Sequence, residues 1–190
     1  MSRVSKLLLA GLVLSLGLSA QADDKRVMSM TAFAVNMSGV GRGGATTLNI
    51  VIERWSTDEE RAKLLDTLVE KGPDKLLDVV DDIKPRAGFI RTNRSLGWDI
   101  QYAREFPLPT GGKRIIFVTD RPMGFYEMHN STRSADYEFM LCEIHLGPDG
   151  KGEGKLATAT KISYNKDEKK IELENYGQQP VRLTQVTLDK

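Results

Sequence analysis

Two histidines, His129 and His145, and one cysteine, Cys142, are the residues of this chain with the most direct chemical uses. Glu127 precedes His129 by two positions, and Glu143 precedes His145 by two. Residues two apart on a β-strand share a face. Each pair would therefore set an imidazole beside a carboxylate, donor types that suit zinc or another transition metal. No His-Glu-x-x-His or comparable ligand motif accompanies them, and His145 beside Glu143 also fits a solvent-facing strand position. Cys142 and His145 suggest a nucleophile and its base, but three positions along one strand puts them on opposite faces. Cys142 shares its parity with Met140, Ile144 and Leu146, so it is expected to be a buried free thiol. There is no Gly-x-Ser-x-Gly elbow. Asp58, Glu59 and Glu60 suit a helix start, and Glu172 and Glu174 an outward strand face. No catalytic residue is assigned, no cofactor is called for and no metal is assigned, with His129 and His145 kept only as candidates.

A second constellation concerns binding. Over Trp98 to Phe106, the residues Trp98, Ile100, Tyr102, Arg104 and Phe106 fall on one parity. Aromatic side chains interleaved with arginine can line a ligand pocket. The plainer alternative is a strand that packs its aromatic face into the core, with Arg104 near the rim. Gly39, Gly41, Gly43 and Gly44 form a glycine-rich connection. A phosphate cradle needs such glycines to run directly into a helix N-terminus, whereas here a strand follows, so a hairpin loop using positive φ angles fits better. Arg42 at its tip joins Trp98, Tyr102, Arg104 and Phe106 as a candidate contact, in its case to an anionic ligand. The loop 121–134 is too long for a tight hairpin, and loops of that length often have a role; it could cover one mouth of a barrel.

The elements that must hold these residues are mostly strands. Apolar residues alternate with polar ones over 27–37, 46–55, 87–92, 98–106, 114–119, 137–146, 156–164, 170–176 and 181–188. Turn signals such as Leu108-Pro109-Thr110-Gly111-Gly112 and Gly147-Pro148-Asp149-Gly150-Lys151-Gly152 separate them. Ser56 or Thr57, each followed three residues later by a glutamate, forms a capping box. Leu64, Leu65, Leu68 and Val69 then recur at helical spacing. Gly72-Pro73 stops that helix and starts a second, with Leu76, Leu77, Val80 and Ile83 apolar. The expected fold is mainly β (α+β): one antiparallel curved sheet or partly closed barrel of about eight or nine strands, with a helical pair inserted at about 57–83. A two-sheet sandwich is the alternative.

The first 22 residues address the chain for export. Arg3 and Lys6 precede the apolar run Leu7 to Leu18, and Ala20-Gln21-Ala22 supplies a small-x-small cleavage site, the order of a secretory signal peptide. The apolar run is shorter than the roughly 18 residues that a membrane span needs, and no other run is long enough. Cleavage would leave residues 23–190 as a single β-rich domain in the periplasm or outside the cell. One cysteine cannot make an internal disulfide, so an apolar core must stabilise it. The formal charge of the whole chain is +1, which argues against nucleic acid as a partner.

The segments Gly39 to Ala45, Ile52 to Arg61, Ser95-Leu96-Gly97-Trp98-Asp99 and Glu172-Leu173-Glu174-Asn175-Tyr176 resemble uncharacterised exported bacterial proteins. The resemblance covers most of the chain after the signal. It implies export and a single domain, and brings no activity, cofactor or site residue. Three functions remain in order. The first is a non-enzymatic exported protein that binds a small apolar or amphipathic molecule in a barrel mouth or under the helical pair. The second is an interaction module for an envelope protein. The third is a metal-assisted enzyme.

Overall fold

Alternating apolar positions on strand after strand demand a surface that can be closed on one side, and a ring of strands provides it. The structure, a computed structural model, describes residues 26–36, 44–123, 137–175 and 179–189. The strands are β1 (Met28–Asn36), β2 (Gly44–Ile52), β3 (Gly88–Thr92), β4 (Trp98–Pro107), β5 (Lys113–Thr119), β6 (Phe139–Leu146), β7 (Lys151–Asn165), β8 (Lys170–Asn175) and β9 (Val181–Leu188). Between β2 and β3 lie α1 (Asp58–Glu70), a 3-10 turn (Pro73–Lys75) and α2 (Leu76–Asp81).

The order β1-β2-β3-β4-β5-β6-β7-β9 closes on itself through β9 and β1, giving an eight-stranded antiparallel barrel. Closure removes the free edges that an open sheet would have. β7 is long enough to serve two structures. Its first half pairs with β6 and β9 inside the ring, and its second half, Thr160 to Asn165, carries β8 as an extra strand. β7 and β8 thus form a hairpin that stands out from the barrel beside the helices.

The barrel interior is filled. Eight strands leave an interior just wide enough for side chains or for one small ligand. Ile50, Ile52, Ile90, Ile100, Ile115, Phe117, Met140, Cys142 and Ile144 are all 0% exposed. One cross-strand row shows the packing: Ala103, Phe117, Cys142, Leu156 and Val181 are successive partners across β4, β5, β6, β7 and β9, and all are buried. At roughly 25 cal/mol per Å² of apolar surface removed from water, this interior is the main source of stability.

Two local expectations change. The turn signal over Gly147 to Gly152 predicts a strand starting at Leu156, but β7 begins at Lys151. Gly152 and Gly154 are strand residues because neighbouring backbone approaches closely. A Cβ on Gly152 would lie 1.9 Å from the His145 carbonyl oxygen, and one on Gly154 would lie 2.6 Å from that of Glu143. The second correction concerns β4. Its pairing with β5 shifts register between Ile100 and Tyr102, and Gln101 at the shift is itself buried. A β-bulge of this kind reverses the faces that follow it. Ile100 and Ala103 both point inward, so Trp98 and Ile100 do not share a face with Tyr102, Arg104 and Phe106.

Candidate functional site

Strand β5 carries apolar residues on both faces, which is the local origin of the site. Ile115 and Phe117 fill the barrel, whereas Ile116 and Val118 point outward. Register extends the outer face sideways in three rows. Tyr102, Val118, Leu141 and Ala157 are partners across β4 to β7 and form an apolar row. Arg104, Ile116, Glu143 and Lys155 form the next, and Phe106, Arg114, His145 and Glu153 the third. The outer wall therefore grades from apolar to charged along the strand direction.

The helical pair covers the apolar end. Leu68, Leu76 and Val80 pack with Val118, Phe139 and Ile162 in a second apolar cluster outside the barrel. This cover is incomplete. A groove of about 380 Å³ remains between the helices, the wall and the β7–β8 hairpin. Leu64, Leu65 and Leu68 line it from α1, Tyr102, Phe106, Ile116 and Val118 from the wall, and Ile162, Ile171 and Leu173 from the hairpin. Ile171 and Leu173 are 46% and 50% exposed. Arg61 and Arg114 are the charged residues of the lining.

Polar contacts fix one end of the helical cover. Thr57 is the N-cap of α1: its hydroxyl accepts from the Glu60 amide, and the Glu60 carboxylate accepts from the Thr57 amide. Ser56, the other possible cap, binds the barrel instead, with its Oγ accepting from the Ala103 amide at 3.1 Å. Arg54 donates to both oxygens of Glu60 at 2.9 and 2.8 Å and to the Pro85 carbonyl at 2.8 and 2.6 Å. The Arg54 guanidinium holds the Glu60 carboxyl below its ordinary value, ahead of the opposing effect of burial. Arg104 donates to Asp58 at 2.6 Å across from the first turn of α1. Burial raises the Tyr102 phenol, keeping it a neutral hydroxyl beside the groove.

The sequence candidates separate. Tyr102 and Phe106 line the groove. Arg104 anchors α1. Trp98 packs against the barrel core on the far side of the bulge. Arg42, His129 and Glu127 lie outside the described residues. His145 is on the outer wall, 2.7 Å from Glu143. It borders a second, polar depression of about 430 Å³ with Glu143, Glu153, Lys155 and Arg182. Both signs line it, with Glu143 opposite Lys155 and Glu153 opposite His145 across β6 and β7, and Lys155 opposite Arg182 across β7 and β9, so it offers no one-signed field for a ligand. Among the described residues no three His, Cys, Asp or Glu side chains are grouped to hold a metal. Cys142 is fully buried, and desolvation raises its thiol well above the usual value, so it offers no thiolate.

Sequence reasoning did not single out Arg61, Arg114, Ile116 or Val118. The signal was present in Ile115-Ile116-Phe117-Val118, a strand apolar on both faces and hence covered on both. No helix among the described residues is long and apolar enough to cross a membrane. Comparison of the chain with protein families, with curated proteins and with solved structures finds no match.

Proposed function

We propose that this protein binds a small apolar or amphipathic molecule in the groove beneath the α1–α2 pair, as a non-enzymatic binding protein exported by its N-terminal signal. One observation carries this reading: the outer wall of the barrel is apolar where the helices cover it, and the cover leaves an open volume. Small-molecule sites are concave, mainly apolar, and contain a few polar groups at defined places. The closed barrel interior favours the groove over a barrel mouth. Export rests on Arg3, Lys6, the Leu7 to Leu18 run and Ala20-Gln21-Ala22.

The test is a titration of the purified chain, residues 23–190, with the apolar fluorophore N-phenyl-1-naphthylamine. A saturable fluorescence rise with one-to-one stoichiometry is expected. Ile116→Glu, which puts a charge into the wall, should abolish it while leaving the thermal unfolding transition cooperative. A linear, unsaturable rise, or an unchanged titration in the variant, would reject the groove.

A second reading, an interaction module for an envelope protein, is favoured by β8. Among the described residues it pairs with β7 alone, and it exposes Ile171 and Leu173. An extended partner segment adding to that edge would be indifferent to Ile116→Glu, which separates the two readings.

A further inference from the structure

We infer that the groove's ligand is a single-chain amphiphile with an anionic oxygen head group, a carboxylate or a phosphate monoester, held by Arg61 and Arg114. This inference rests on the groove being a ligand site.

The arginines around the helical cover are partnered unequally. Arg54 is matched by Glu60, Arg86 by Glu53 and Asp99, and Arg104 by Asp58. Each of these guanidiniums meets a carboxylate. Arg61 and Arg114 meet none among the described residues, and no Asp or Glu lines the groove. Arg114 lies over the ring of Phe106, 5.0 Å from its centroid. Stacking uses the face of the guanidinium and leaves its in-plane N–H groups free to donate.

The two arginines also stand toward the same side of the groove. Arg61 is in the first turn of α1, three residues after Asp58, and Asp58 reaches Arg104 on β4. Phe106 follows Arg104 by two positions on that strand and is the cross-strand partner of Arg114. The opposite side, formed by Ile162, Ile171 and Leu173 of the hairpin, is apolar. A molecule that satisfies both sides is charged at one end and aliphatic along the rest. Guanidinium groups suit carboxylate and phosphate because their paired donors match two oxygens at once. At about 380 Å³ the groove is near the small end of the ~300–1,000 Å³ typical of ligand sites, which suits one chain better than two.

Isothermal titration of residues 23–190 with dodecanoate, dodecyl phosphate and dodecanol, each below its aggregation concentration, tests this. At least one of the two anions should bind about tenfold more tightly than the alcohol, the effect of one charge-assisted contact. The double variant Arg61→Gln/Arg114→Gln should reduce anion affinity to that of the alcohol and leave alcohol binding in place. Which anion gains identifies the head group. If dodecanol matches both anions, or if the double variant keeps the anion preference, the head-group inference fails while the groove stands. If none of the three binds, both fail. Arg61 is exposed and Arg114 half-buried, so the double variant keeps the core, and its melting curve verifies the fold.

Discussion

The barrel interior and the groove on its outer wall share strand β5, and both are lined by aliphatic side chains, yet one is closed and the other open. The difference lies in what provides the second surface. Inside, the sheet meets itself: residues from eight strands converge on one axis, and the ring leaves no direction in which a wall can recede. Outside, the second surface is a pair of short helices held mainly at one end. Arg54 with Glu60, Ser56 with Ala103 and Asp58 with Arg104 attach the start of α1 to the barrel through polar contacts. Beyond the first turn, the cover rests on apolar contacts of Leu68, Leu76 and Val80. Closure by a ring gives a core, whereas closure by a cover fixed at one end leaves a groove.

Adjacent residues of β5 provide the most forceful way to break this comparison. Phe117→Ala empties part of a packed interior and should destabilise the protein by about 3–5 kcal/mol. Ile116→Ala removes atoms from a wall that already faces open space and should cost only about 1 kcal/mol. Urea unfolding of the two variants measures both. Equal losses would mean that the groove is packed as tightly as the core, and the distinction would collapse.

The same contrast separates what was legible in the sequence from what was not. Period-two alternation displays an inward face, so Met140, Cys142, Ile144 and Leu146 could be placed inside from the sequence, as could Leu48, Ile50 and Ile52. Capping residues and the Gly72-Pro73 break made the helical pair equally visible. The bulge at Gln101 was not legible, because an extra residue in a ladder leaves no mark in composition and reverses every face after it. Parity alone therefore groups Trp98 with Tyr102, Arg104 and Phe106, from which the structure separates it. Gly152 misleads in the opposite sense: close backbone approach and a turn both call for glycine. The groove itself depends on which residues a helix covers, and that is set by tertiary geometry. Only the doubly apolar run Ile115 to Val118 hinted at it.

The attachment of the helical cover sharpens the comparison at a smaller scale. The Arg54–Glu60 pair is bidentate and only partly exposed, so Arg54→Met should cost roughly 1–2 kcal/mol, between the values for exposed and buried pairs. Glu60 supplies the pH dependence. Its carboxyl is held below the ordinary value of 4.5 in the folded protein, so the folded state favours the ionised form more than the unfolded chain does. That contribution is fully present above about pH 4.5 and is lost as pH falls through the folded value. The stability gap between the wild type and Glu60→Gln should therefore be widest near neutrality and shrink in acid, as read by urea unfolding at several pH values. A gap independent of pH would show that the Glu60 charge does not hold the cover.

The smallest expected effect isolates the cap from the ion pair. Thr57→Ala removes the hydroxyl that accepts from the Glu60 amide and should cost about 1 kcal/mol. It leaves the Glu60 carboxylate with Arg54 and with the Thr57 amide, both of which survive in alanine. The acid dependence of stability should therefore persist in Thr57→Ala while it diminishes in Arg54→Met. Affinity for the preferred dodecyl anion adds a second axis, because the groove needs the first turn of α1 in place to present Arg61. If loosening the cap lowers ligand affinity more than stability, the first turn is a positioning element for the site. If affinity is unchanged, the contacts of Ser56 and Asp58 with β4 hold the cover without help from the helix's own cap.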